Sequence, residues 1–202
     1  WVVSNYAKTL SSRKYFEMMI IGQKIDWWLK NESKGRGISA LSQPRHGNQW
    51  GANVNSTFIA NESVLNEFYS REMSSLVRND RPVILEIGAG YGILFYYISK
   101  AFSDFCYLDF DLPESIIMIS YYLGMAFPDK KILFYGEQPS VLDRKSLQNV
   151  DICLLPNFCL PSLGNDVVDM TINFASLSEM QKETVDEYFT HINRFTREYI
   201  FH

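Results

Sequence analysis

The spacing of hydrophobic positions changes character partway along the chain. Between residues 12 and 30, Tyr15, Met18, Met19, Ile25, Trp28 and Leu29 recur at intervals of three and four, which gathers them on one face of a helix. Ser11 or Ser12 offers an N-cap hydroxyl to an otherwise unpaired first-turn N–H. A second helix is expected over about 62–78, with Val64, Leu65, Phe68, Tyr69, Met73 and Leu76 turned inward. Residues 31–55, between them, have no period. That stretch holds Lys34-Gly35-Arg36-Gly37 and His46-Gly47-Asn48-Gln49-Trp50-Gly51, and its length marks it as a functional or mobile loop.

After Asn79-Asp80-Arg81-Pro82 the pattern becomes strand–helix alternation. Apolar runs at 83–87 and 106–110 read as buried strands, separated by Gly88-Ala89-Gly90-Tyr91-Gly92 and an apolar helix over 93–102. Pro113, in Asp111-Leu112-Pro113-Glu114, suits the first turn of the next helix, where its missing N–H costs nothing. Further strands are expected at 131–135, 151–155, 167–174 and from Tyr199 onward. Ser140-Val141-Leu142-Asp143 resembles a capping box opening a short helix. Ser178-Glu179-Met180-Gln181 is a second box, ahead of a helix whose inner face carries Val185, Tyr188, Phe189, Ile192 and Phe195. Such alternation predicts an α/β fold: a doubly wound, mostly parallel sheet over residues 82–202, preceded by a helical N-terminal extension, 1–81, that serves as a lid. With Trp1 at its start and an unfinished strand at its end, the chain is expected to be part of a longer one, lacking C-terminal strands.

Composition narrows the class. With 47% hydrophobic residues in 202, a packed core is expected rather than disorder. No apolar run approaches the roughly 20 residues of a membrane span; the longest, 116–127, is broken by Ser120 and Gly124. Three cysteines, Cys106, Cys153 and Cys159, with no CxxC pair argue against a disulfide framework or a zinc site, and no charged-then-apolar leader opens the chain. A cytoplasmic location is therefore expected. Residues 1–81 carry 11 Lys+Arg against 7 Asp+Glu, whereas residues 82–202 carry 8 against 16. An acidic sheet domain is a poor nucleic-acid surface. The aromatic content, 15%, serves chiefly core packing.

The chemistry concentrates at residues 86–92. Glycines between a strand and a helix permit a tight turn and let a ligand lie against bare backbone, and the helix N-terminus adds exposed N–H groups. Asp111 stands 19 residues past Gly92, at the end of the next strand. In a doubly wound sheet those turns are neighbours, so Asp111 is placed to accept from both hydroxyls of a ribose. The dinucleotide pattern G-x-G-x-x-G fails, because its sixth position is Ile93. An acid two residues before G-x-G-x-G, with an acid closing the second strand, is similar instead to the pattern of class I S-adenosylmethionine-dependent methyltransferases, which have a Rossmann-like fold.

Within that class the sequence resembles the bacterial sugar O-methyltransferases over about residues 45–195. The resemblance rests on residues 47–51, 84–92 and 111–114, on Tyr121-Tyr122-Leu123, and on residues 174–180 with Glu183 and Tyr188-Phe189. It implies S-adenosylmethionine as cofactor, held by Glu86, Gly88, Ala89, Gly90, Tyr91, Asp111 and Leu112, with Asn157 and Asn173 as further contacts at strand ends. It implies a sugar or glycan hydroxyl as methyl acceptor. The Asp-Leu-Pro turn also looks like plant-type small-molecule O-methyltransferases, whose catalytic histidine has no counterpart within residues 173–179; Asn48-Gln49 likewise stands where the family has Asn-Pro. The candidate bases are Glu179, after a strand on the ligand-binding edge, and His46, in the loop ahead of the domain. Asp109 and Asp111 form an acidic pair without a third ligand, so no metal is expected.

Overall fold

The computed structural model describes residues 12–202, and Ser11 lies outside them. The chain divides into two compact units, one running to Glu72 and the other from Met73.

The first unit contains α1 (Ser12–Asn31), a 3-10 turn (Ile38–Leu41), the strands β1 (Gly51–Val54) and β2 (Thr57–Ala60), and the start of α2 (Ser63–Leu76). Ile21, Ile25 and Trp28 form the buried stripe of α1, packed with Leu41, Ile59 and Val64. Ile21 is therefore the inward residue, whereas Tyr15 and Leu29 are exposed. The stretch expected to be loop ends in the first strand of an antiparallel hairpin, with Val54 opposite Thr57. Its two turn residues, Asn55 and Ser56, have φ of 48° and 65°, the left-handed pair that a two-residue hairpin turn requires. Arg36, placed in the unpatterned stretch, has a structural partner: with Arg71 and the Trp28 indole N–H it surrounds the buried Glu67 carboxylate.

The second unit is a six-stranded sheet in the order β5-β6-β4-β3-β7-β8. Its strands are β3 (Val83–Ile87), β4 (Cys106–Asp111), β5 (Ile132–Phe134), β6 (Ile152–Pro156), β7 (Val168–Ile172) and β8 (Thr196–Phe201). Every neighbouring pair is parallel. The helices are α3 (Ile93–Ala101), α4 (Pro113–Ala126) and α5 (Lys182–Phe195). Parallel strands buried on both faces need apolar cover on each side. On one face Leu85, Ile87, Phe110 and Leu155 pack with Leu142, Leu160, Tyr188 and Ile192. On the other, Phe95 of α3 stands edge-on to Tyr107 at 5.0 Å. The unit is a doubly wound, Rossmann-like α/β fold.

Two local expectations are corrected. Residues 140–143 open no helix: Leu142 bridges to Leu163, and Asp143 accepts from the Ser146 N–H at 2.7 Å in a tight turn. The box at 178–181 does not cap α5 either. Ser178 Oγ donates to the Ala175 carbonyl inside a 3-10 turn (Ser176–Glu179), so the helix begins later with Gln181 as its N-cap residue.

Candidate functional site

All six strands end on the same edge, and β3 sits where the winding reverses. The chain leaves β3 for β4 on one side, while β7, on the other, continues outward to β8. Connections that diverge from adjacent strands open a crevice at their carboxyl ends. A cavity of about 370 Å³ lies there. Ile87, Gly88 and Gly90 line it from the β3–α3 loop, Asp111, Leu112 and Ser115 from the β4–α4 turn, and Asn157 from the end of β6. Ser176, Glu179 and Met180, from the β7–α5 turn, complete the wall with Tyr188.

The glycines of the loop serve different ends. Gly88 and Gly90 both have positive φ, 75° and 61°, a conformation that strains other residues. A Cβ on residue 88 would lie 2.6 Å from Ser176, whereas one on residue 90 would meet nothing within 4 Å. Gly88 therefore allows two turns to close together, and Gly90 leaves bare backbone facing open space. The α3 N-terminus behind them has Gly92 as its N-cap residue and no capping side chain.

Asp111 joins the loop to the neighbouring strand. One carboxylate oxygen accepts from the Gly90 N–H at 2.9 Å, and the other from the Leu112 N–H at 2.7 Å. Each oxygen keeps a further acceptor site, and Asp111 lines the cavity, so a vicinal diol such as a ribose has an acceptor there. This donor and acceptor set, with the open side of Gly90, fits a nucleoside-bearing cofactor.

Glu86 lies beneath this surface rather than on it. It is buried and accepts from the Tyr107 hydroxyl at 2.6 Å, not from the glycine loop. Its cross-strand neighbour is Asp109, which accepts from the Ala89 N–H at 3.2 Å through Oδ1 while the buried Oδ2 has no hydrogen-bond partner. Burial pushes the Glu86 carboxyl up to about 7, against the Tyr107 hydrogen bond and with help from Asp111. Asp109 is raised well above the ordinary carboxylate range, first by burial and then by Glu86 and Asp111. Ala89 contributes its N–H to Asp109, and Tyr91 packs its ring against Tyr122 at 5.0 Å; neither lines the cavity.

Asn173 is also buried off the cavity. Its side-chain amide donates to the Ile87 carbonyl at 3.0 Å, tying the end of β7 to the end of β3. Asn157 does line the cavity, as does Tyr188. Glu179 is an exposed lining residue at the close of the 3-10 turn, and Glu183 is the acid in the first turn of α5. The favourable helix-end charge thus belongs to Glu183. His46 lies in the other unit, where its carbonyl accepts from Gln49. His191 pairs with Arg194, and His202 with the Asn173 carbonyl. No histidine lines the cavity. Among the described residues no group of three or more His, Cys, Asp or Glu is arranged to hold a metal ion.

Ile87, Phe110, Ser115, Ser176, Met180 and Tyr188 are the lining residues that sequence reasoning did not single out as site residues. For Ser176 a signal existed: it sits between Asn173 and Glu179 on the edge where strands deliver ligand contacts. Tyr188 read as core, and it is core as well as a lining residue.

No family model and no curated protein matches the sequence. Among solved structures the chain is similar to a protein from Methanococcus maripaludis provisionally assigned as an S-adenosyl-L-methionine-dependent methyltransferase. That match has a TM-score of 0.48 and 12% identity, over 66% of this chain and 51% of the other. It is similar to the DszA carbon methyltransferase, with a TM-score of 0.47 and 11% identity over 97% and 48% of the two chains. It is similar also to the mitomycin 7-O-methyltransferase MmcR, with a TM-score of 0.44 and 12% identity over 68% and 34%. The chain thus spans about half, or less, of the length of these proteins.

Proposed function

We propose that the cleft binds S-adenosylmethionine and that the protein transfers its methyl group to a hydroxyl of a sugar or sugar-containing glycan. One observation carries the cofactor half: Gly90, with its open side, and Asp111, with spare acceptor capacity, line one cavity and are hydrogen-bonded to each other. In this reading Asp111 takes the ribose hydroxyls and Leu112 and Asn157 flank the adenine. The methionine end lies along Gly88 toward Ser176. The sugar acceptor rests on the sequence resemblance over residues 45–195.

Methyl transfer is an in-line displacement: the acceptor oxygen bonds to the methyl carbon as the carbon–sulfur bond breaks, and the sulfonium becomes a neutral thioether. Holding the partners in line contributes up to roughly 7–11 kcal/mol. A sugar hydroxyl is a weak acid, so a base that takes its proton adds roughly 10²–10⁴-fold. Glu179 has that role here because it is the exposed carboxylate on the wall nearest the methionine end; His46 is the alternative base. Labelled methyl transfer to a panel of free sugars, glycans and non-sugar hydroxyl compounds tests the reading. Turnover with sugars, lost in Glu179→Gln and retained in His46→Ala, is expected. Transfer only to non-sugar acceptors assigns the fold another small-molecule substrate, and tight cofactor binding with no transfer identifies a non-catalytic binding module.

A further inference from the structure

The glycine loop is anchored at three points, and the third comes from a different strand than the others. Ala89 and Gly90 donate to Asp109 and Asp111, both on β4. The Ile87–Gly88 peptide, which starts the loop, is gripped from both sides. Its N–H donates to the Phe110 carbonyl at 3.1 Å. Its carbonyl accepts from Asn173 Nδ2 at 3.0 Å and from Ser176 Oγ at 2.8 Å, which fills both of its acceptor sites. Ser176 also hydrogen-bonds Asn173 and occupies the space where a Cβ of residue 88 would stand. The chain reaches this position through Ala175, a non-glycine residue with φ of 75°. Such a conformation persists only where the surroundings impose it. Of the two donors to the Ile87 carbonyl, Ser176 lines the cavity and Asn173 does not.

We infer that Ser176 is a positioning residue for the cofactor loop: from the β7–α5 turn it fixes the Ile87–Gly88 peptide, and so the aim of the Ala89 and Gly90 amides. This rests on the reading of the cleft as a cofactor site. It makes the pairing of β7 with β3 part of the binding apparatus, since the strand that brings Glu179 to the cavity also holds the loop.

Two measurements on Ser176→Ala test it. Calorimetry with S-adenosylmethionine is expected to show a dissociation constant raised about tenfold, the effect of losing one hydrogen bond of ordinary strength. Hydrogen exchange of the full chain without cofactor is expected to show the Gly88 and Gly90 amides exchanging about tenfold faster, with α3 and β4 amides unaltered. Unchanged exchange at those two amides would overturn the inference, as would an unchanged dissociation constant in a variant whose loop exchange has risen. If the wild-type protein fails to bind S-adenosylmethionine, the reading of the cleft falls instead, and the exchange experiment still decides whether Ser176 holds the loop.

Discussion

The two ends of the sheet treat buried carboxylates in opposite ways. At the amino edge, Asp169 on β7 is fully buried and ion-paired with Arg144 and Arg197. It also accepts from the Asn79 amide at 2.9 Å and from the Val83 N–H at 2.8 Å. At the carboxyl edge, Glu86 and Asp109 are as deeply buried, lie opposite each other on β3 and β4, and have only a hydroxyl and one N–H as partners. Among the described residues neither has a cationic partner. Neighbouring buried carboxyls without a counter-charge cannot both ionise cheaply, so this pair favours retaining a proton. The amino edge is built for cohesion. The carboxyl edge carries uncompensated acid directly beneath the loop that lines the cleft.

The largest effect should come from breaking the compensated end. Asp169→Ala removes the charged acceptor of the Val83 N–H and the Asn79 amide, a loss of about 4 kcal/mol for two hydrogen bonds to a buried charge, to which the part-exposed Arg144 and Arg197 add little. Urea unfolding should register it, and a loss below about 1 kcal/mol would show that the network adds little. The next effect sharpens the other end. The folded-state value of Glu86, about 7, lies above the ordinary 4.5, so folding favours the protonated acid. Its contribution is fully present below about pH 4.5 and is lost as the pH rises through about 7, a change on the order of 3 kcal/mol. Unfolding measured from pH 5 to 8 should show stability falling in the wild type, and falling less steeply in Glu86→Gln, where Asp109 remains raised by its burial. A smaller effect concerns strain on the same edge. Ala175→Gly should stabilise the protein by about 1 kcal/mol, because glycine adopts positive φ without penalty, and thermal melting would show it as a rise of a few degrees.

The difference between the two ends also explains what was legible in the sequence. The glycine loop and Asp111 declare themselves because their geometry is local: a strand, a turn and a helix in one unbroken stretch from Val83 to Ala101, then an acid at the next strand end. The surroundings of Glu86 are not local. That its partner would be Tyr107, with Asp109 opposite, follows from the register of β3 against β4, and an isolated apolar run does not encode its register. The bond of Ser176 to the Ile87 carbonyl was hidden for the same reason, since it depends on β7 pairing beside β3. The hairpin at 51–60 escaped notice because its strands have four residues each and its turn is Asn-Ser rather than Asn-Gly. The two capping-box sequences misled because their hydroxyl and carboxylate groups are engaged in tight turns, which compete with helix caps for the same residue types.

The central claim is that the cleft at the reversal of winding is a cofactor site organised by Asp111. Titration calorimetry of S-adenosylmethionine into the full chain, wild type and Asp111→Ala, addresses it most directly. The account predicts saturable one-site binding by the wild type. In the variant affinity should fall by roughly ten- to hundredfold, the loss expected for hydrogen bonds to a charged group, with the fold intact by circular dichroism. An absence of binding by well-folded wild-type protein, or equal affinity in the variant, would contradict it.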